Sequence, residues 1–180
     1  MSYIQPSPFD SIPGPNTTTL PYHRFTISQS VSNNQISVST SPGGCSIETA
    51  TPGSAGYDIF SNDEYIISPN KYLKIHTGIR MKFSDNIVAQ IYPRSGMSTK
   101  KGLILANTVG IIDSDYAGEI IIAMKNVSTE DQYINKGDAF AQLIFVPYYK
   151  PELKLISEKD IEKLHEKSVR GTGGFGSTDK

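Results

Sequence analysis

Several short segments carry the residue types that phosphate and metal chemistry needs. Pro93-Arg94-Ser95-Gly96 offers a guanidinium fork, a hydroxyl and unobstructed backbone N–H groups, a set able to hold a polyphosphate. Taken alone, the same four residues are better described as a strand-ending turn with a surface arginine. Ala55-Gly56-Tyr57-Asp58 and Gly110-Ile111-Ile112-Asp113-Ser114-Asp115-Tyr116 place carboxylates beside glycine at expected strand ends. One such aspartate is ordinarily a turn former, but several in a glycine-rich constellation are harder to dismiss. Gly171, Gly173 and Gly176 fit the dinucleotide pattern G-x-G-x-x-G, which requires a strand before it and a helix after it. Only Ser177-Thr178-Asp179-Lys180 follow, so that reading fails, and no P-loop spacing occurs elsewhere.

Charge and composition narrow the classes. Seventeen basic against eighteen acidic residues leave a net charge of −1, so no overall field favours nucleic acid or a membrane surface. A phosphate ligand must therefore meet a local cluster. One cysteine and three scattered histidines (His23, His76, His165) cannot build a disulfide framework or a zinc site from the usual ligands. Cys45, beside Gly43 and Gly44, reads as a thiol in a turn. No run approaches the roughly 18 apolar residues of a membrane span, and the charged and apolar blocks of a signal peptide are missing. The expectation is an intracellular protein of cytoplasm or nucleus, in which the triplets Asn16-Thr17-Thr18 and Asn126-Val127-Ser128 are chance matches to a glycosylation signal.

The elements that must position these residues are mostly strands. Ile75, Thr77, Ile79, Met81 and Phe83 alternate over one stretch and predict a shared buried face. Residues 86–92, 119–124 and 140–146 are further short apolar runs, separated by the turn signals Ser84-Asp85-Asn86, Tyr116-Ala117-Gly118 and Asn135-Lys136-Gly137-Asp138. Many short strands at such spacing predict an antiparallel sandwich, jelly roll or barrel. The one helix predicted lies near residues 157–167, with Ser157 as its cap, Asp160 three positions on, and Ile161 and Leu164 on one face. A length of 180 residues fits one domain with tails. Residues 1–32, proline-rich and poor in apolar residues, predict a disordered tail; residues 33–168 the β domain; and residues 169–180 a glycine-rich arm or lid.

In order along the chain, Ala55 to Ile59, Pro93 to Gly96, Gly110 to Gly118, Gly137-Asp138-Ala139-Phe140-Ala141-Gln142 and Arg170 to Ser177 resemble the five motifs of the trimeric all-β dUTPases. The resemblance spans residues from about 35 to 178, and five ordered motifs are far more specific than any one of them. It implies an all-β, distorted jelly-roll or barrel subunit. Three subunits would share active sites at their junctions, with the C-terminal arm closing a neighbouring site. The implied reaction is hydrolysis of dUTP to dUMP and pyrophosphate, limiting uracil incorporation into DNA and supplying dUMP for dTMP synthesis.

The resemblance also implies roles for single residues. Asp113 would be the general base that orients water toward the α-phosphorus. Arg94, Ser95, Gly96 and Gln142 would bind phosphates, and Mg²⁺ bridging those phosphates would be held through waters, one of them anchored by Asp58. Asn107, Gly110 and the neighbouring backbone would receive uracil, and the ring of Tyr116 would leave no room for a 2′-hydroxyl. In the arm, Phe175 would stack on uracil while Arg170, Gly176 and Ser177 meet the nucleotide. Met97-Ser98-Thr99-Lys100-Lys101 departs from the family's pattern, being more polar than the small apolar residues common there.

Two other readings compete. A dCTP deaminase shares the fold and the Arg-Ser loop but needs a glutamate three residues before the asparagine that ends its strand, and here Ala123 precedes Asn126 at that spacing. A non-catalytic nucleotide-binding or regulatory relative would dispense with Asp113 or the arm, and both are present.

Overall fold

In the computed structural model the described residues are 36–166 together with Ser168 and Gly171. The tail expected over residues 1–32 and the arm residues Arg170, Phe175, Gly176 and Ser177 lie outside them. In chain order the elements are β1 (Ser37–Thr40), β2 (Ser46–Thr49), β3 (Tyr57–Phe60), β4 (Tyr65–Ile67), β5 (Tyr72–His76), β6 (Ile79–Lys82) and β7 (Ile87–Pro93). There follow α1 (Ser95–Lys101), β8 (Leu103–Leu105), β9 (Gly110–Ile112), β10 (Ile121–Asn126), β11 (Gln132–Ile134), β12 (Ala139–Pro147) and α2 (Glu158–His165). The fold is all-β, a distorted jelly roll, as the strand spacing predicts.

A five-stranded sheet runs in the order β2-β3-β12-β7-β9 and a three-stranded sheet in the order β5-β10-β8, with β1-β6 and β4-β11 as separate pairs. Every pairing is antiparallel. Ile59, Ala89, Ile91 and Leu143 from the large sheet meet Ile75, Ile122, Met124 and Leu103 from the smaller one in a single apolar core. Strand β12 adapts to that core with a register shift between Ala139 and Ala141, which lets the consecutive Phe140 and Ala141 both be fully buried.

The alternating positions Ile75, Thr77, Ile79, Met81 and Phe83 are all buried, as predicted. They nevertheless do not form one strand: Ile75 lies in β5 and Ile79 and Met81 in β6, in different sheets, with Thr77 in the break between them, where Gly78 takes φ +70°, and Phe83 just past β6. Strand β5 pairs with β10, whereas β6 pairs with β1. The buried Thr77 hydroxyl donates to Ile120 O at 2.6 Å and accepts from Ile79 N at 3.1 Å, replacing ladder bonds lost at the break. Gly44 lies against it so closely that a Cβ would stand 2.8 Å from Thr77 O.

Both helices bear on the sequence reading. Helix α2 has Ser157 as its N-cap, the Ser157 hydroxyl accepting from Asp160 N at 3.3 Å, but no residue of it is buried. Helix α1 was not expected. Its single buried residue is Met97, too little to leave an apolar period, and it ends at Gly102 in the left-handed conformation, φ +63°. The polar stretch that departs from the family pattern is this helix. Among the described residues no helix is long and apolar enough to cross a membrane.

Asn126, at the end of β10, is fully buried and saturated. Its amide donates to Ile67 O and Glu130 O, both at 2.7 Å, and its carbonyl accepts from Ser128 N at 2.8 Å and Ser128 Oγ at 2.7 Å. Burial also puts this asparagine out of reach of glycosylation in the folded chain. Replacing it by alanine strands several buried polar groups, so Asn126→Ala should lose about 3 kcal/mol of stability. Urea unfolding at fixed protein concentration measures the loss; a change below about 0.5 kcal/mol, typical of an exposed position, would contradict this account.

Candidate active site

The predicted site residues gather into two groups. The first lies across three strands of the large sheet. Asp58 on β3 stands opposite Gln142 on β12, and Gln142 stands opposite Tyr92 on β7, so the three share one face. Arg94, two residues beyond Tyr92, forms an ion pair with Asp58 through Nη1 and Oδ2. The Asp58 side chain is 7% exposed and that of Arg94 37%, so the carboxylate is buried beneath a guanidinium that still reaches solvent. Gln142 Nε2 donates to Pro93 O at 3.1 Å, fixing the segment that carries Arg94. Gly56 lies against this side chain, where a Cβ would come within 2.9 Å of Gln142 Oε1 and displace the amide.

Beyond Arg94, Ser95 and Gly96 open helix α1, and both are exposed. A Cβ at Gly96 would meet no heavy atom within 4 Å, so its backbone is accessible as the sequence predicts. Arg94, Gly96, Lys100 and Lys101 line a common depression with Asp138. The far end of α1 is fastened by Lys101, whose Nζ donates to Tyr133 O at 2.7 Å and lies 3.2 Å from Asp138 Oδ2. Lys100 was not singled out in the sequence because a lysine in a polar run carries no distinguishing signal.

The second group surrounds a pocket of about 260 Å³ lined by Leu105, Asn107, Gly110, Asp113, Tyr116 and the start of β10, among others. Its opening follows from the topology. Strands β8 and β9 are joined by residues 106–109, yet β8 pairs with β10 and β9 with β7, each as the edge of its sheet. The two arms splay, and each keeps one backbone edge without a strand partner. Thr108, at φ +63°, makes the turn, with Val109 N donating to Asn107 O at 2.7 Å. Gly110 is packed against Ile91, where a Cβ would come within 3.0 Å of Ile91 Cβ. Asp113 is exposed, and its carbonyl accepts from Tyr116 N at 3.2 Å to close the following turn.

The two groups do not meet within one chain. Gly110 stands opposite Ile91, whereas Gln142 stands opposite Tyr92, and neighbouring residues of a strand face opposite sides. Asp58, Arg94 and Gln142 therefore sit on one side of β7, and the pocket bearing Asn107, Gly110, Asp113 and Tyr116 opens on the other. Ile121, Ala123 and Glu119 complete the pocket, though the sequence reading treated them only as strand.

The donor set bears on the metal. Among the described residues no three His, Cys, Asp or Glu side chains converge as a cage. Mg²⁺ does not ask for one, since it keeps several waters and binds through one or two carboxylates plus substrate phosphates. A single carboxylate, Asp58, beside the Arg94 guanidinium is compatible with a role through water.

This fold and these two clusters define an all-β protein whose polar site is divided between the faces of one sheet. Residues 45–179 match the sequence model of the dUTPase family. A deoxyuridine 5'-triphosphate nucleotidohydrolase of Shewanella halifaxensis is 43% identical over 130 residues, covering 71% of this chain and 82% of that protein. One from Desulfitobacterium hafniense is 41% identical over 132 residues, covering 72% and 83%. Among solved structures, a Staphylococcus bacteriophage 80alpha dUTPase variant with dUpNHpp has a TM-score of 0.68 at 28% identity, covering 81% of this chain and 98% of that one. A dUTPase variant from phage phi11 of S. aureus, described with a structural Mg(II) ion, has a TM-score of 0.62 at 29% identity, covering 69% and 98%. The chain belongs to the dUTPase family.

The Lys101 clamp on α1 has a pH signature. Partial burial pushes the Asp138 carboxyl up, but the Asn135 backbone N–H and the Lys101 ammonium outweigh it and hold Asp138 below its ordinary value. A depressed folded value stabilises fully above the unfolded pKa of about 3.9 and is lost as pH falls through the folded one. Asp138→Asn should therefore unfold at lower urea than wild type near neutral pH, and the gap should close below about pH 4. Urea midpoints measured across the acid range check this; parallel curves down to the lowest pH would rule out the clamp.

Proposed function

We propose that the protein hydrolyses dUTP to dUMP and pyrophosphate, using a site that one subunit supplies only in part. The observation that carries this reading is the pocket in which Asn107, Gly110, Asp113 and Tyr116 converge, in a chain of the dUTPase family. Uracil enters between β8 and β9. There the unpartnered backbone edges and the Asn107 side chain read its polar edge, and a base with the wrong donors would leave buried groups unpaired.

Water adds to the α-phosphorus, the bond from that phosphorus to the bridging oxygen breaks, and pyrophosphate departs with the electron pair. Asp113 takes the proton from the water as the new bond forms; its exposed carboxylate in the pocket lining supports the role. Arg94, Ser95, Gly96 and Gln142 hold the phosphates, with Asp58 orienting Arg94 from below. Mg²⁺, when bound with the phosphates and held through water by Asp58, supplies charge neutralisation. Tyr116 presents its ring to the deoxyribose and excludes the ribose hydroxyl.

The division of the site across β7 supports a homotrimer in which the pocket of one subunit faces the Arg94 group of another. The arm, with Arg170, Phe175, Gly176 and Ser177, closes a neighbouring site. Such an enzyme acts where deoxynucleotides are pooled, inside the cell.

Pyrophosphate release from dUTP, dCTP, dTTP and UTP with Mg²⁺ tests the reading. Selective cleavage of dUTP is expected, with Asp113→Asn slower by roughly 10² to 10⁴. Deleting residues 169–180 should abolish most turnover, and light scattering should give a trimer. Binding of dUTP without cleavage would replace this reading by that of a nucleotide-binding regulator, and cleavage unaffected by Asp113→Asn would mean a different base.

A further inference from the structure

Tyr116 can exclude a ribose hydroxyl only if its ring is held still, and the ring is half-exposed on a turn. Its hydroxyl donates to the backbone carbonyl of Glu119 at 2.8 Å. The ring also folds back over Gly118, where any Cβ would overlap Tyr116 Cζ and Oη. A tether of this kind positions the ring only as well as Glu119 itself is positioned.

Glu119 is fastened from several sides. Its Oε1 accepts from Gly78 N at 2.7 Å and its Oε2 lies 3.1 Å from His76 Nδ1. The adjoining Ile120 donates through N to Ile79 O at 2.9 Å and accepts from the Thr77 hydroxyl at 2.6 Å. Arg80 Nη1 reaches Ala117 O at 3.3 Å, tying the same turn to β6. The His76 ring and the Gly78 N–H also hold the Glu119 carboxyl below its ordinary value, so it is anionic and an acceptor at neutral pH. Tyr116 and Glu119 line the same pocket as Asp113 and Asn107.

We propose that Glu119 is a specificity-determining positioning residue, pinning residues 116–119 to the Thr77-Gly78 break so that the Tyr116 ring stays where ribose is refused. The inference rests on the dUTP-hydrolysing reading. Glu119 does not take part in the chemical step, and its loss should relax sugar selection more than it slows turnover.

The test compares kcat and KM for dUTP and UTP, with Mg²⁺, in the full-length protein. Glu119→Ala should raise the UTP to dUTP ratio of kcat/KM by roughly fivefold to tenfold, while kcat for dUTP stays within about threefold. Glu119→Gln keeps an acceptor for Gly78 N and a donor for a neutral His76, so its ratio should stay within about twofold of wild type. Tyr116→Phe, which keeps the ring but drops the tether, should move the ratio as Glu119→Ala does, and the double variant should move it no further. His76→Ala removes one anchor at an exposed position and should shift the ratio in the same direction by about twofold, which keeps the proposal testable if Glu119→Ala does not fold. An unchanged ratio in His76→Ala and Tyr116→Phe, or equal losses on both substrates in Glu119→Ala, would overturn the role of Glu119 while leaving dUTP hydrolysis standing. A wild type that leaves dUTP intact would instead overturn the reading on which the role depends.

Discussion

The break in the backbone at Thr77-Gly78 is the constraint on which the site depends. A continuous strand through residues 72–82 would pair along one sheet, and β10 and β1 could not both find partners where they do. The break sends β5 to one sheet and β6 to another, and the divergence is stabilised locally because the Thr77 hydroxyl serves both sides of it. The same break anchors Glu119 and Ile120, which line the pocket, through Gly78 N, the Thr77 hydroxyl and Ile79 O, while β8 and β9, attached to different sheets, leave the turn between them open. The space that remains is the pocket. A single buried hydroxyl and a glycine at φ +70° thus fix one wall of a cavity built mostly by other residues.

Alternation in β7 then imposes a second constraint. Residues 90 and 92 face away from residues 89 and 91, so nothing in one chain can bring Gln142 and Gly110 to the same side. The polyphosphate-type groups are gathered by burying Asp58 under Arg94. Burying an aspartate carries a desolvation cost, which here is offset by a guanidinium that remains partly in water. The pair is neutral as a whole, but its carboxylate is the buried end and its guanidinium the solvent-facing one, so the cationic side is what a ligand meets. Association of copies, as proposed above, would bring such a divided set of groups into one site.

Much of this was legible in the sequence, for reasons that differ by element. Positions 75 to 83 announced their burial through alternation, since the pleat converts period two directly into inside and outside. The short loops with Gly56, Gly96 and Gly110 were legible because each sets a glycine close in sequence to a charged residue; in the structure Gly110 is packed against Ile91, whereas Gly96 leaves its backbone open. The interruption at Thr77-Gly78 was not, because alternation continues unbroken through it: Thr77 is buried in phase with Ile75 and Ile79. Helix α1 escaped because what holds it is one buried residue, Met97, and a glycine cap, neither of which produces a period, while its Ser and Thr hydroxyls bond back to the preceding turn, as Thr99 to Ser95 O at 2.8 Å, a pattern foreign to a strong helix former. The Asp58 pairing with Arg94 joins residues distant in sequence, and only strand register brings them together.

The segment after β12 carries the argument about assembly one step further. Leu153 is 85% exposed, Leu155 98% and Leu164 71%, in a stretch whose only regular element is the eight-residue α2. A helix that short is marginal in water unless an apolar face is covered, and among the described residues nothing covers the face of Ile161 and Leu164, which are 40% and 71% exposed. Capping by Ser157 sharpens where the helix starts but adds only about 1 kcal/mol, too little to replace packing. Leucines at such positions repay their exposure only against another surface, and the proposed trimer supplies one. On the proposed assembly, the association that would complete the divided site would also cover the chain leading away from β12, and docking of this segment would then be coupled to formation of the site.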